Sequence, residues 1–350
     1  MIRGIIIAGG TGGHIYPGIA VGKELKKRYP NIDILFVGRN REMERDIYKK
    51  EGFPFIGINI KSGGIKFFIG FVESLSILIS YKPHFVFGLG SYISFPMIFW
   101  ANLFGIPTFL QEQNVVPGVA TRLLQGRVNK VFLGYGESSS YIKFKDRISV
   151  TGNPLRFKED NKLYNQRRDI LVFGGSLGAR KISEAVVGVV KFIRENKISF
   201  GYRFILITGK DDYERFLPYE DKKMLRVYPY VNNMEEFYKR AILVISRAGA
   251  LTVSEIGYFG LPAILIPYPL AKENHQYFNA SLLVKCGMAI LLEDRKIEVD
   301  LLWKEIYNIL GNRKKLKSLN HKSFKFLFRK SKEKIAKSMI KFIREQKGDQ

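Results

Sequence analysis

Two short stretches of this chain carry side chains that could move a proton. Near the start, "IIIAGGTGGHIYPG" sets His14 at the end of a glycine run, and further on "TFLQEQN" carries Glu112. An imidazole titrates near neutral pH, so His14 is the first choice for a general base, or else a ring that simply hydrogen-bonds the loop or a phosphate; Glu112 is the second choice of base. The run around His14 also has an anion-binding character. Glycine fills four of the five positions 9 to 13. Glycines permit positive φ and close backbone approach, and a helix that follows directs free N–H groups at a phosphate. The dipole of that helix disfavours an imidazolium, which keeps His14 neutral and able to accept a proton.

Two further turns are of the same kind. "GGSLGARK", 174 to 181, adds the Ser176 hydroxyl and the Arg180 charge. "SRAGALTVSEIGYFGLP", 246 to 262, sets Arg247 beside a turn that opens a helix, with Glu255 in an early turn of it. A carboxylate there complements the dipole or accepts hydrogen bonds from a ribose diol; spacing alone supports both. Two familiar phosphate motifs do not fit. A dinucleotide fold wants a sixth-position glycine and an acid after the second strand, and Ile15 and Arg39 stand there. "TGKDD" at 208 to 212 lacks the ending of a Walker loop. Of the other histidines, His275 reads as a structural hydrogen bonder, and His84 and His321 as bystanders. One cysteine, Cys286, four scattered histidines and no D-x-D argue against a protein-held metal.

The elements that position these residues alternate. "GIIIAGG", "DILFVG", "HFVFGLG", "PTFLQEQN", "KVFLGYG" and "ISVTGNP" form one strand series; "DILVFGGS", "FILITG", "LRVYPYV", "LVISRAG" and "PAILIPYP" form another. Helical patterns fall between them, as at 17–29, 41–51 and 180–195. The halves resemble each other, with Gly9-Gly10 answered by Gly174-Gly175. This predicts an α/β chain with two Rossmann-like domains of parallel sheet, separated by a cleft. The polar linker at 151 to 168 marks the boundary: an N-terminal domain over 1–155, a second domain over 156–327, and a final helix over about 328–346 returning to the first.

The chain has 350 residues, a net charge of +25, and 46% hydrophobic and 25% charged residues, as for a globular protein. Its basic excess points to anionic partners. The last 40 residues alone hold 14 Lys and Arg against 3 Asp and Glu. The uncharged run 91 to 110 is broken by Pro96, Asn102, Gly105 and Pro107 into loop, helix and strand rather than a membrane span. "GGIKFFIGFVESLSILI", 63 to 79, reads as a buried helix or as a membrane-surface patch built on Ile65, Phe67, Phe68 and Phe71. The lysines of the tail helix would add attraction to an anionic surface. No secretory signal pattern opens the sequence.

Taken together, "GGTGGH", "QEQN", "TGNPLR", "GGSLGAR", "SRAGALTVSE" and "HQYFNA" occur in the order and approximate spacing of the MurG family, which the chain resembles from about residue 4 to 295. Those enzymes are UDP-GlcNAc:lipid I N-acetylglucosaminyltransferases. The resemblance implies a GT-B fold, inverting transfer with no essential metal ion or other cofactor, lipid II as product, and a peripheral place on the cytoplasmic face of the bacterial inner membrane. It also assigns roles. Thr11, Gly12 and Gly13 face the donor sugar and the acceptor diphosphate. Asn114 contacts the donor sugar, with Glu112 beside it, and Arg156 is the arginine of the "GNPxR" motif. Ser176 and Arg247 meet the donor diphosphate, Val231 the uracil, and Gln276 the GlcNAc hydroxyls. Ala250, Leu251, Thr252, Val253, Ser254 and Glu255 form the diphosphate- and ribose-binding turn. Two departures stand out: Gln111 replaces a common His, and Leu177 a common Gln, so neither offers the usual polar chemistry. Ser91 merely shortens a glycine run.

The implied partners are UDP-GlcNAc, undecaprenyl-linked lipid I, anionic inner-membrane lipids and other cell-wall synthesis proteins. A GT-B transferase with another lipid acceptor and a UDP-GlcNAc 2-epimerase are the enzymatic alternatives. A nucleic-acid binder would rest on charge alone, since no recognition motif is present.

Overall fold

The computed structural model describes residues 1–10, 12–61, 64–157, 166–175, 178–319 and 330–347. The chain divides into unit 1, Met1–Arg156 with Leu327–Gln350, and unit 2, Phe157–Phe326.

Unit 1 runs β1 (Ile2–Ile7), α1 (Gly12–Arg28), β2 (Ile32–Arg39), α2 (Glu42–Lys50), β3 (Phe55–Ile58), α3 (Ile65–Tyr81), β4 (Phe85–Gly88), α4 (Ser94–Leu103), β5 (Thr108–Glu112), α5 (Val119–Leu124), β6 (Lys130–Leu133) and β7 (Ile148–Val150). Its sheet is parallel, in the order β3-β2-β1-β4-β5-β6-β7. Side chains alternate across β1. Ile5 and Ile7 join a core with residues of α3 and α4; Ile6 joins another with Ile15, Ile19 and Leu25 of α1.

Unit 2 runs β8 (Asp169–Phe173), α6 (Arg180–Glu195), β9 (Arg203–Ile207), α7 (Tyr213–Phe216), β10 (Leu225–Tyr228), α8 (Met234–Arg240), β11 (Ala241–Ser246), α9 (Ala250–Phe259), β12 (Ala263–Leu265), α10 (His275–Lys285), β13 (Ala289–Leu291), α11 (Val299–Leu310) and α12 (Arg313–Leu319). Its parallel sheet is ordered β10-β9-β8-β11-β12-β13. Both sheets reverse direction beside their first strand, at β1/β4 and at β8/β11. A ligand crevice lies outside the carboxyl ends of the strands at such a point. Every glycine turn singled out in the sequence follows β1, β8 or β11.

The last helix, α13 (Ser331–Lys347), belongs to unit 1. Ile335, Ala336, Met339, Ile340 and Ile343 recur at helical spacing and are buried with α1. Arg28 pairs with Glu333 at 2.8 Å, and the Ser331 hydroxyl donates to the Gly152 carbonyl at 2.6 Å.

Two sequence expectations are corrected, on the start of the first helix and on the number of strands. The first helix begins at Gly12, not 17. Pro17 sits inside it, where its missing N–H removes only one bond near the helix start. Two strands, β3 and β13, were not anticipated; both are short edge strands. Helices α13 and α3 pack on opposite faces of the first sheet, because the two cores they join take alternate residues of β1. The tail lysines therefore do not share a face with the α3 patch.

Candidate active site

The first glycine turn follows β1 and runs straight into α1. Gly10 adopts φ +100°, which a side chain rarely tolerates. Because α1 starts at Gly12, His14 lies in its first turn, where backbone N–H groups have no partner within the helix. Burial pushes the His14 imidazole below its ordinary value; the nearby Glu112 carboxylate, the Leu89 carbonyl and the Gln113 side chain pull less strongly the other way. Nδ1 of His14 is buried with no hydrogen-bond partner. An imidazolium would leave an unpaired N–H there, so the neutral ring is favoured. These residues come from the ends of β1, β4 and β5, which the sheet order makes neighbours.

Glu112 is nearly fully buried and heavily engaged. Its Oε1 accepts the Asn114 N–H at 2.9 Å and the Asn114 side-chain amide at 3.3 Å. Its Oε2 accepts the Gly118 N–H at 3.0 Å and the Thr121 hydroxyl at 2.6 Å. Four donors thus occupy both oxygens of the carboxylate. It shapes the loop after β5 and sets the field at His14. Gln111, where an imidazole was absent, joins a buried amide network: its Nε2 donates to Asn153 Oδ1 at 2.8 Å, and Asn153 Nδ2 donates to the Gln113 carbonyl at 3.0 Å. Arg156 stacks its guanidinium 4.4 Å from the Tyr16 ring centroid, on α1.

In unit 2 the turn after β8 repeats the first, with Gly175 at φ +95°. The turn after β11 is braced by α10. Gln276 Oε1 accepts the N–H of Ala248 at 3.2 Å and of Tyr268 at 2.9 Å, and Asn279 Nδ2 donates to the Ala248 carbonyl at 3.2 Å. Both bonds use the Oε1 of Gln276, not its amide nitrogen. With Gly249 as N-cap, the N–H groups of Ala250, Leu251 and Thr252 open α9, while that of Val253 is spent on the Gly249 carbonyl at 3.0 Å. Val253 and Ser254 are buried, and the Ser254 hydroxyl turns back to the Ala250 carbonyl at 2.9 Å. The six-residue stretch thus divides into the backbone of Ala250, Leu251 and Thr252 at the helix start, the buried Val253 and Ser254, and Glu255. The Tyr238 hydroxyl donates to Glu255 Oε2 at 2.8 Å and fixes that carboxylate. Val231 is buried in the loop after β10.

Arg247 is not an uncompensated cation. Its Nη1 lies 2.6 Å from Asp294 Oδ1 and donates to the carbonyls of Ile266 and Pro267 at 3.2 and 3.3 Å. Lys181 Nζ lies 3.5 Å from the other oxygen of Asp294. Sequence reading missed Asp294 because it follows the unanticipated edge strand β13. His84 and His275 have structural roles: His84 Nδ1 accepts the Arg3 N–H at 3.0 Å, and His275 Nδ1 lies 2.8 Å from the Lys272 carbonyl. Thr11, Ser176, Leu177 and His321 lie outside the described residues. Among the described residues, no group of three or more His, Cys, Asp and Glu could hold a metal ion.

On α3 the patch divides. Ile65 and Phe68 are 78% and 70% exposed. Phe67 and Phe71 are half-buried against α4, Phe71 lying 4.8 Å from the Trp100 ring, whose indole N–H donates to the Phe71 carbonyl at 2.9 Å. The outward row is instead Ile65, Phe68, Ile69 and Val72, a helical i, i+3, i+4, i+7 spacing that the sequence held. Among the described residues no helix is long and apolar enough to cross a membrane.

Comparison with known proteins gives the family of the chain. Residues 5–133 match the glycosyltransferase family 28 N-terminal domain, and residues 169–339 its C-terminal domain. A UDP-N-acetylglucosamine--N-acetylmuramyl-(pentapeptide) pyrophosphoryl-undecaprenol N-acetylglucosamine transferase from Desulforamulus reducens is 36% identical, over 93% of this chain and 94% of that protein. The protein of the same name from Alkaliphilus oremlandii is 34% identical over 97% and 98%. The crystal structure of Acinetobacter baumannii MurG superposes with a TM-score of 0.77 at 25% identity, covering 97% of this chain and 99% of that one. Neisseria meningitidis UDP-GlcNAc 2-epimerase shares the fold alone, with a TM-score of 0.70 at 12% identity, covering 97% of this chain and 100% of that one. With two parallel-sheet α/β units of the GT-B class and these relatives along nearly its whole length, the chain belongs to glycosyltransferase family 28 and is a hexosyltransferase.

Proposed function

We propose that this chain transfers GlcNAc from UDP-GlcNAc to the C4 hydroxyl of the MurNAc of lipid I, with inversion, making lipid II for peptidoglycan synthesis. The observation that carries the reading is the half-buried His14 in the first turn of α1, at the carboxyl end of the first sheet, with its Nδ1 buried and without a hydrogen-bond partner. His14 takes the proton of the acceptor hydroxyl as that oxygen attacks C1 of the donor sugar, and the C1–O bond to UDP breaks. Glu112, oriented by its four donors, stabilises the imidazolium that forms. The N–H groups of Ala250, Leu251 and Thr252 meet the diphosphate and stabilise the charge that grows on UDP as it leaves. Glu255 accepts from the ribose diol, the Gln276 amide donates to the sugar, and Val231 lies against the uracil. Thr11, Gly12, Gly13, Asn114, Arg156 and Ser176 complete the donor and acceptor contacts. No metal ion or other cofactor takes part.

The enzyme works at the cytoplasmic face of the inner membrane as a peripheral protein. The row Ile65, Phe68, Ile69 and Val72, with exposed Lys66 beside it, supports this, because lipid I keeps its tail in the bilayer. The Phe68→Ser, Val72→Ser double variant should sediment with anionic vesicles at least about tenfold less well; undiminished sedimentation would remove α3 from the membrane surface.

The deciding assay for the reaction incubates purified protein with radiolabelled UDP-GlcNAc and a lipid I analogue in EDTA. Lipid-linked disaccharide supports acceptor class and metal independence together. UDP-GlcNAc bound but not transferred would point to another acceptor, and interconversion of the free sugar nucleotide to an epimerase.

A further inference from the structure

Helix α2 is short and mostly exposed, and its two buried side chains are a glutamate and a tyrosine, Glu44 and Tyr48. Four residues apart, they share one face. Both grip the turn between β1 and α1. The Tyr48 hydroxyl donates to the Ala8 carbonyl, and its ring is stacked between Phe36 and Phe55, with centroids 4.7 and 4.8 Å away. Glu44 Oε1 accepts the Gly10 N–H at 2.9 Å, and Oε2 accepts the Arg39 N–H at the end of β2, also at 2.9 Å. The carboxylate is 0% exposed.

The space it fills is made by two glycines. A Cβ on Gly9 would lie 2.7 Å from Glu44 Oε2, and one on Gly38 would lie closer still. Gly10, whose N–H the carboxylate binds, is the residue at positive φ. In dinucleotide-binding folds an acid at the end of the second strand reaches out to a ribose. Here Arg39 stands at that position, and an acid from the following helix turns inward instead.

We propose that Glu44 is a positioning residue: its buried carboxylate ties the first glycine turn to the end of β2 and so fixes the direction in which α1 presents His14. One amide of the turn is thereby removed from any ligand, and an acceptor anion is left to the N–H groups at the start of α1. Burial pushes the Glu44 carboxyl above the usual range, against the pull of the two amides. Ionised, it is a cost to folding that a purely architectural contact would avoid.

The test is Glu44→Gln. A carboxamide offers one oxygen, and its NH2 faces an N–H, so one of the two backbone amides loses its acceptor. Hydrogen exchange should speed up at least tenfold in peptides spanning Gly9–His14 and Gly38–Asn40 and stay unchanged in β4 to β6. The kcat for transfer should fall about tenfold, with the dissociation constant for UDP unchanged within twofold. Formate should restore exchange protection to Glu44→Ala by refilling the carboxylate seat. Unchanged exchange in the two peptides overturns the proposal, and so does fast exchange with wild-type kcat. If Glu44→Gln does not fold, Gly38→Ala, which pushes a methyl into the carboxylate, gives the same readouts. The kcat arm rests on the transfer reaction proposed above; the exchange and formate arms do not, so the two readings fail separately.

Discussion

The two halves build their first glycine turn to one plan and then satisfy it differently. Gly10 at φ +100° and Gly175 at φ +95° hold matching places after β1 and β8. In unit 1 an acid from the next helix enters the turn and binds its backbone. In unit 2 the acid after the second strand, Asp212, binds a side chain instead: Arg180 in the first turn of α6, at 2.8 Å from Nε and 2.7 Å from Nη2. The turn after β11 shows the same preference, since Asp294 is held by Arg247 and Lys181. Unit 1 therefore spends backbone amides on an internal anion and keeps an imidazole at the helix start. Unit 2 spends cations on its internal anions. The first arrangement suits holding a base in place, and the second suits a diphosphate.

The largest expected effect is at His14. Replacement by alanine should lower kcat by about 10²–10⁴-fold, with little change in the donor KM. Wild-type kcat in this variant would leave unit 1 without its base. Because burial holds the ring below the ordinary histidine value of about 6.5, the neutral base predominates at pH 7. The rate should be level above that value and decline as pH falls through the lowered one. Removing the Glu112 charge by Glu112→Gln takes away the carboxylate that favours the imidazolium, so the acid limb should move to still lower pH. A limb that moves upward would contradict the electrostatics assigned to this pair.

A smaller effect separates the two jobs of unit 2. Glu255→Gln should weaken UDP binding by about 10- to 100-fold, the value of charge-assisted hydrogen bonds to a diol. Inhibition by inorganic pyrophosphate should not change if, as proposed, the diphosphate meets the amides of Ala250, Leu251 and Thr252 and not Glu255. Equal losses for both ligands would show that Glu255 supports the turn rather than reads the ribose.

How much of this was legible beforehand follows from where each signal lies along the chain. The doubly wound order, the glycine turns, His14 and the returning tail helix are written locally, in apolar runs, glycine clusters and helical spacing. The edge strands β3 and β13 are three or four residues long and carry too little pattern. Pro17 pointed to a helix start because proline is favoured at a first helical position, yet glycines before it let α1 begin earlier. Glu112 looked like a base because a carboxylate in a cleft can be one; its four donors lie up to nine residues away and become visible only once the loop after β5 is folded. Glu44, Tyr48 and Asp294 were missed for the same reason. Nothing in "REMERDIY" or "LLEDRK" tells a buried acid from a solvated one.

The smallest expected effect bears most directly on how the two units treat their internal acids. If Asp294 neutralises Arg247 while no donor is bound, Asp294→Asn should release a cation beside the amides of α9. UDP should then bind about three- to tenfold more tightly, about 1 kcal/mol for an ion pair with both side chains mostly buried. The gain should shrink as salt rises, since the freed guanidinium is then partly screened. Weaker binding would carry a different meaning. Asp294 would then be aiming Arg247 at the phosphates, much as Glu44 aims the first turn, and the contrast between the halves would reduce to which kind of group each acid holds. Glu44→Gln offers no such gain, because its carboxylate masks an amide of the turn and no cation. Measured side by side, tighter UDP binding in one variant and a loosened turn in the other would separate an acid that competes with a ligand from an acid that builds the site.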